Sequence, residues 1–163
     1  MKDRNLEDLF HDTLKDIYYA ERKILRSLPK MARGAQSPQL RKAFETHREE
    51  TQEHIERLQN VFEVIGRNAR GKTCPAIDGI VEEAEELMEA YKGSRALDAG
   101  LISAAQAVEH YEITRYGTLR RWAQELGLTD AEGLLRQTLD EEAKTDAILT
   151  QIAETGPNPE AAP

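Results

Sequence analysis

The sequence has one cysteine, Cys74, which excludes an intramolecular disulfide framework and any zinc cluster built from several thiolates. No run of apolar residues approaches the ~20 needed to cross a bilayer as a helix. The opening MKDRNLEDLF carries charges with no apolar stretch behind them, so no signal peptide is expected. A cationic excess is missing too. Twenty-two Lys and Arg stand against thirty Asp and Glu, a net charge of −8, which argues against nucleic acid or a membrane surface as partner. No segment alternates apolar and polar residues with period two between turn signals, so no β-sheet is expected. What remains is a chain of 163 residues. That is about one domain at one per ~150 residues, with enough length to bury a sizeable core. It reads as a cytoplasmic protein of a reducing compartment.

The apolar period is helical throughout. Leu6, Leu9, Phe10, Thr13, Ile17, Ala20, Ile24 and Leu28 recur every three or four residues toward a stop at Gly34, with Pro29 expected to kink or loosen the last turn. Ser37-Pro38 supplies an N-cap and a first-turn proline for a second helix running through Leu40, Phe44, Leu58 and Val61 to Gly66. A shorter amphipathic helix follows from Ile77 to Tyr91, ending at Gly93. Ser94 offers a cap for a third long helix to Gly127, and Thr129-Asp130-Ala131-Glu132 has capping-box spacing for a fourth. The fold class is therefore all-α. Short links make each pair of long helices an antiparallel hairpin, whereas residues 67–93 can run the length of a bundle. A long crossover between two hairpins is the ferritin-like four-helix arrangement. The expected domain is 3–155, with 156–163 as a disordered tail.

Acidic residues stand in slots where the helical period calls for core. Glu21 lies between Ile17 and Ile24; Glu50 and His54 lie one turn apart beside His47 and Thr51; Glu112 follows Val108, with Glu109 a turn earlier; Glu142 and Asp146 repeat the one-turn spacing. Singly, each reads as an edge residue whose stem lies along the core while its head reaches water. Counted from the hairpin ends, however, all four long helices place an acid at one level near mid-bundle. The stretch Glu49–His54 also aligns without a gap on Glu141–Asp146, pairing Glu50 with Glu142 and His54 with Asp146. Carboxylates ~4 Å apart repel by about 4 kcal/mol at an effective dielectric of 20. Two divalent cations would nearly cancel five carboxylates, and an oxygen-rich site with imidazole suits two iron or manganese ions in a dinuclear centre. The metal set expected is Glu21, Glu50, His54, Glu109, Glu112, Glu142 and Asp146, with Glu109 and Glu112 as rivals or companions.

Four stretches, AERKILRSLPKMA at 20–32, HREETQEHIERL at 47–58, EHYEITRYGTL at 109–119 and LDEEAKTDAIL at 139–149, resemble the YciF-like stress-protein family of the ferritin-like superfamily. The resemblance implies a helical bundle, usually a homodimer, with a dinuclear metal centre, no settled reaction and a link to bacterial stress responses. One departure from the wider superfamily is plain. The usual Glu-x-x-His becomes Thr51-x-x-His54 and Ala143-x-x-Asp146, which sets this chain apart from iron-storage proteins.

Other residues have blander readings. Tyr18, Tyr19, Tyr111 and Tyr116 are expected to pack the core with hydroxyls on ligand carboxylates, and His47 and His110 to orient ligands. Cys74 is expected as a free surface thiol and Glu82 to Glu86 as a solvated face. The leading function is a stress-response metal protein reacting with oxygen or peroxide, or handling the metal itself. The alternative is a non-enzymatic dimeric bundle with a structural metal or a polar core, and a third is a partner-binding module using the short helix.

Overall fold

Helix follows wherever the three-to-four residue apolar period runs unbroken. The computed structural model describes residues 3–163. Four long helices form: α1 (Leu6–Gly34), α2 (Pro38–Val64), α4 (Leu97–Glu125) and α5 (Thr129–Thr155). Between the two hairpins lies α3 (Pro75–Ala90), and α6 (Pro157–Ala161) closes the chain. Each hairpin packs along its length, α2 lies against α5 and α1 against α4, which closes a square bundle; α3 packs outside on α4 and α1. This is the two-hairpin, ferritin-like arrangement expected from the lengths of the connections. No helix among the described residues is long and apolar enough to cross a membrane.

Local chemistry explains the boundaries. Asn5 and Asp8 form a reciprocal capping box at the start of α1, and Ser37 caps α2 ahead of Pro38. Helix α1 continues through Pro29 to Gly34. At the far end of α2, Arg67 N–H donates to the Phe62 carbonyl at 2.9 Å; after α4, Leu128 N–H donates to Ala123 at 2.8 Å. Both are Schellman closures, and both need the left-handed residue that Gly66 (φ 68°) and Gly127 (φ 69°) supply.

Three boundary expectations are corrected. Ser94 does not cap α4, which starts at Leu97 after a turn. Thr129 does not cap α5, because the Gly127 closure buries part of Leu128 against the core and the helix starts one residue sooner. The tail read as disordered contains α6, which docks on α5 and α4 with Pro157 buried. A first-turn proline and one apolar anchor are enough to order it.

The crossover is held by close approach. Lys72 N–H donates to the Lys15 carbonyl at 3.1 Å, laying the connector on α1. A Cβ at Gly100 would stand 2.7 Å from Leu87 Cδ2, so glycine lets α3 press against α4. Cys74 is buried rather than a surface thiol. Its sulfur accepts from Ile77 N–H at the start of α3 and lies 3.0 Å from the Tyr111 hydroxyl, and burial pushes the thiol up from its ordinary range.

A carboxylate from the second hairpin ties down the first. Asp98, buried in the first turn of α4, accepts from the backbone N–H groups of Gln36 at 2.8 Å and Ser37 at 2.6 Å. Those donors lead into α2 and have no helical partner of their own. Asp98→Ala should cost about 2 kcal/mol, because two partly buried donors lose their acceptor. Urea unfolding checks this: an unchanged midpoint would show that water replaces the carboxylate.

Candidate metal centre

Six residues converge at mid-bundle with almost no access to solvent. Glu21 comes from α1, His47 and His54 from α2, Glu109 and Glu112 from α4, and Glu142 from α5; all are buried. The spacing on α2 explains the two histidines. Seven residues are close to two full helical turns, so His47 and His54 share one face at successive levels. Their rings lie 6.5 Å apart between centroids.

The donor atoms fall into two overlapping groups. His47, Glu109, Glu112 and Glu142 form one, Glu21, His54 and Glu142 the other, and within each group the atoms lie within 4.8 Å of one another. Glu142 belongs to both. His54 Nδ1 lies 2.9 Å from Glu142 Oε1 and 3.4 Å from Glu21 Oε1, and His47 Nε2 lies 2.8 Å from Glu109 Oε1. Despite this proximity, both nitrogens of His47, His54 Nδ1, and both carboxylate oxygens of Glu112 and Glu142 lack an aligned hydrogen-bond partner. One oxygen each on Glu21 and Glu109 is likewise orphaned. Buried polar atoms that meet at close range without hydrogen-bond geometry suit lone pairs aimed at a shared cation.

The surrounding bonds fix how these donors face. His54 Nε2 lies 2.8 Å from Glu141 Oε2, so donation to that carboxylate leaves Nδ1 turned inward. Glu141 is in turn gripped by both nitrogens of buried Arg57, at 3.0 and 3.2 Å, and Arg57 also donates to Thr138 at 2.7 Å. The Tyr116 hydroxyl donates to Glu21 Oε1 at 2.6 Å, leaving Oε2 free. Thr51 returns its hydroxyl to the His47 carbonyl at 2.7 Å and presents no charge to the cluster.

Without a cation, protons must supply the positive charge. Burial alone would lower His54, but the carboxylates of Glu142 and Glu21 beside it outweigh that and raise it to about 11. His47 is also burdened by burial, and Glu109 and Glu50 raise it well above its ordinary value. Burial together with neighbouring carboxylates pushes Glu112 up, and burial with Glu142 does the same to Glu109 against the pull of His47. Glu142 runs the other way: burial would raise it, yet the closeness of Glu109 and His54 and the charge of the two histidines hold it far below the usual carboxylate range.

The structure brings Glu21, His54, Glu109, Glu112 and Glu142 together and leaves two expected ligands at the edge. Glu50, a third exposed, accepts from the Thr145 hydroxyl at 3.2 Å and lies 3.6 Å from His47 Nδ1. Asp146 turns to α4, where it pairs with exposed His110 at 3.1 Å and Gln106. A step of four residues overshoots a full turn by about 40°, enough to carry Asp146 off the face that Glu142 occupies. In its place stands His47, expected only as an orienting donor. Glu109 and Glu112 both reach the cluster, in the same donor group. Arg57 and Glu141 join the surroundings of His54, and the sequence signal for them is a cation one turn after it.

Tyr116 alone among the four tyrosines meets a cluster carboxylate. Tyr19 donates to Asp78, Tyr111 donates to Asp16, and Tyr18 accepts from Gln59.

These protonations fix a pH dependence for the cation-free protein. A histidine whose folded value exceeds its unfolded one stabilises fully below the unfolded value, ~6.5, and loses that contribution as pH rises through the folded value. For His54 the loss therefore runs from about pH 6.5 to about 11. Raised Glu109 and Glu112 act in the same sense, whereas depressed Glu142 stabilises above the ordinary carboxylate range and weakens only in strong acid. Chelator-treated protein should lose stability steadily between pH 7 and 10 in urea titrations; a flat profile would show that these protons are not held.

Comparison with known proteins agrees with this fold. The family model described as "Domain of unknown function (DUF892)" matches residues 5–162. Protein YciF of Escherichia coli (strain K12) is 43% identical over 154 residues, 94% of this chain and 93% of that protein. The crystal structure of the E. coli stress protein YciF matches with a TM-score of 0.91 over 97% of this chain and 99% of that one. YcfI from Rhodopseudomonas palustris, provisionally described as a structural protein, is 45% identical with a TM-score of 0.90, over 93% and 97% of the two chains. A Xanthomonas campestris protein at 20% identity and a TM-score of 0.70, covering 92% of each chain, shares the fold alone.

Proposed function

The chain belongs to the DUF892 family, and from that premise we propose that its buried cluster is a dinuclear iron or manganese centre serving a bacterial stress response. The observation that carries the reading is the set of orphaned donor atoms in two groups joined by Glu142. Four carboxylates and two imidazoles form that set, so two divalent cations would neutralise it. Glu21, His54 and Glu142 would hold one ion; His47, Glu109, Glu112 and Glu142 would hold the other. Oxygen donors with imidazole favour iron or manganese over a thiolate-seeking metal. Bound there, the pair would supply one-electron steps at two adjacent sites, the chemistry that reactions with oxygen or peroxide require.

This chain's own residues do the rest. Glu141, backed by Arg57, fixes the tautomer and orientation of His54. Tyr116 holds one oxygen of Glu21 so that the other faces the cavity. The helices exclude water, which strengthens every charge interaction inside. A stress role is drawn from the family and from the name of the E. coli relative. The cytoplasmic homodimer implied by the resemblance belongs to the same proposal.

A second reading has its own support. The R. palustris relative is described as a structural protein, and the cluster can satisfy itself with protons, so a non-enzymatic bundle with a polar core or a structural metal is coherent. The two readings part on turnover, since a structural centre stays silent when the reduced, loaded protein is mixed with oxidant in a stopped-flow instrument.

Ligand substitutions test the assignment. Glu142→Ala should abolish binding of both ions, whereas Glu50→Ala and Asp146→Ala should each retain about two per chain by elemental analysis. Retention of both ions in Glu142→Ala would sink the proposed centre. Uptake at neutral pH should also release about four protons per chain, those of His47, His54, Glu109 and Glu112, readable in a pH-stat. Uptake without proton release would place the ions elsewhere.

A further inference from the structure

We propose that a narrow apolar cavity between α1, α3 and α4 is the passage by which molecular oxygen reaches the buried centre, an inference that rests on the metal reading above. The walls include Ile24 and Leu28 from α1, Val81 and Ala84 from α3, and Ala105 and Val108 from α4. All six are buried. The inner end is formed by His47 and Glu109 of the cluster, and the outer end by Lys30 and Glu85. Those two exposed side chains pair at 3.1 Å and link α1 to α3. Polar groups therefore sit only near the ends: the cluster inside, and the ion pair with partly exposed Ser27 outside.

Size and polarity select the occupant. The free volume is about 30 Å³. A single water-sized probe needs roughly 10–15 Å³, while drug-sized ligands fill about 300–1,000 Å³. The cavity thus suits a molecule of two or three heavy atoms and no more. Alanines keep it open, since Ala84, Ala104 and Ala105 stand where larger aliphatic residues would close the gap between α3 and α4. An apolar gas loses nothing on entering such a space, whereas peroxide would surrender hydrogen bonds that the walls cannot replace.

A contrasting approach lies on the opposite side of the bundle. The groove between α2 and α5 also reaches His47, and there Lys42, Thr46, Glu50 and Thr145 stand among Ala43, Ile148, Leu149 and Ile152. Those four polar side chains offer a hydrated cation or peroxide the hydrogen bonds that the first cavity withholds. His47 stands where the two approaches meet.

Xenon provides a probe that does not depend on metal, because dry apolar cavities of this kind bind it. Crystals of the native protein under xenon should show the gas bound among Ile24, Val81, Ala84 and Val108, and Ala84→Leu should abolish it. Elemental analysis of both proteins should give the same metal content. Oxidation of the iron(II)-loaded Ala84→Leu protein by oxygen should be about tenfold slower than native, with the rate for peroxide unchanged. Should Ala84→Leu fail to fold, Ala104→Leu, at a partly exposed position nearer the rim, serves the same purpose. Absence of xenon from the native cavity would overturn the passage, as would an unchanged oxygen rate once the cavity is filled. Native protein that binds xenon yet holds no metal would overturn the centre beneath it instead, so the two failures are told apart.

Discussion

Repulsion among four carboxylates sealed from water is the constraint around which the bundle is organised. Water cannot screen them, and among the described residues the one buried guanidinium nearby, Arg57, is spent on Glu141 rather than on the cluster. Positive charge must therefore come from protons or from ions. The two histidines can carry the first and coordinate the second, so the same side chains serve both states. A core of this kind costs stability relative to an apolar one unless every charge is compensated. The apolar residues above and below the layer, Phe10, Leu14, Leu40 and Phe44 among them, are buried almost completely and offset that cost.

Shape follows from the same constraint. Acids from three helices and histidines from the fourth must meet near mid-bundle, which needs long uninterrupted rods and two hairpins set side by side. The crossover frees α3 to lie outside the square, where it roofs the gap between α1 and α4. That placement leaves an apolar cavity on one side, while the groove between α2 and α5 mixes polar and aliphatic side chains.

Much of this was legible in the residues. The bundle follows from helical period and from the length of the crossover; Glu21, Glu109, Glu112 and Glu142 stand out as acids in apolar slots, and His54 as their one-turn companion on α2. Height along the bundle was easier to read than angle around each helix. Glu50 and Asp146 had the right height but sat ~40–60° off the inward face. A short internal match between hairpins made them look equivalent to their partners. His47 shows the converse: its separation of seven residues from His54 returns it to the same face, a longer period than the one-turn spacing that marks Glu50 and His54. Residues that act through others, such as Arg57 through Glu141, leave almost no trace in a single sequence. Nor does Asp98, whose partners lie about sixty positions earlier.

The most direct measurement is anomalous diffraction at the iron and manganese edges from protein purified out of its own host. Two strong peaks should appear inside the bundle, one beside Glu21 and His54 and one beside His47 and Glu109, with Glu142 touching both. A well-ordered cluster with no anomalous signal, or peaks confined to Glu50 and Asp146 at the rim, would contradict the account.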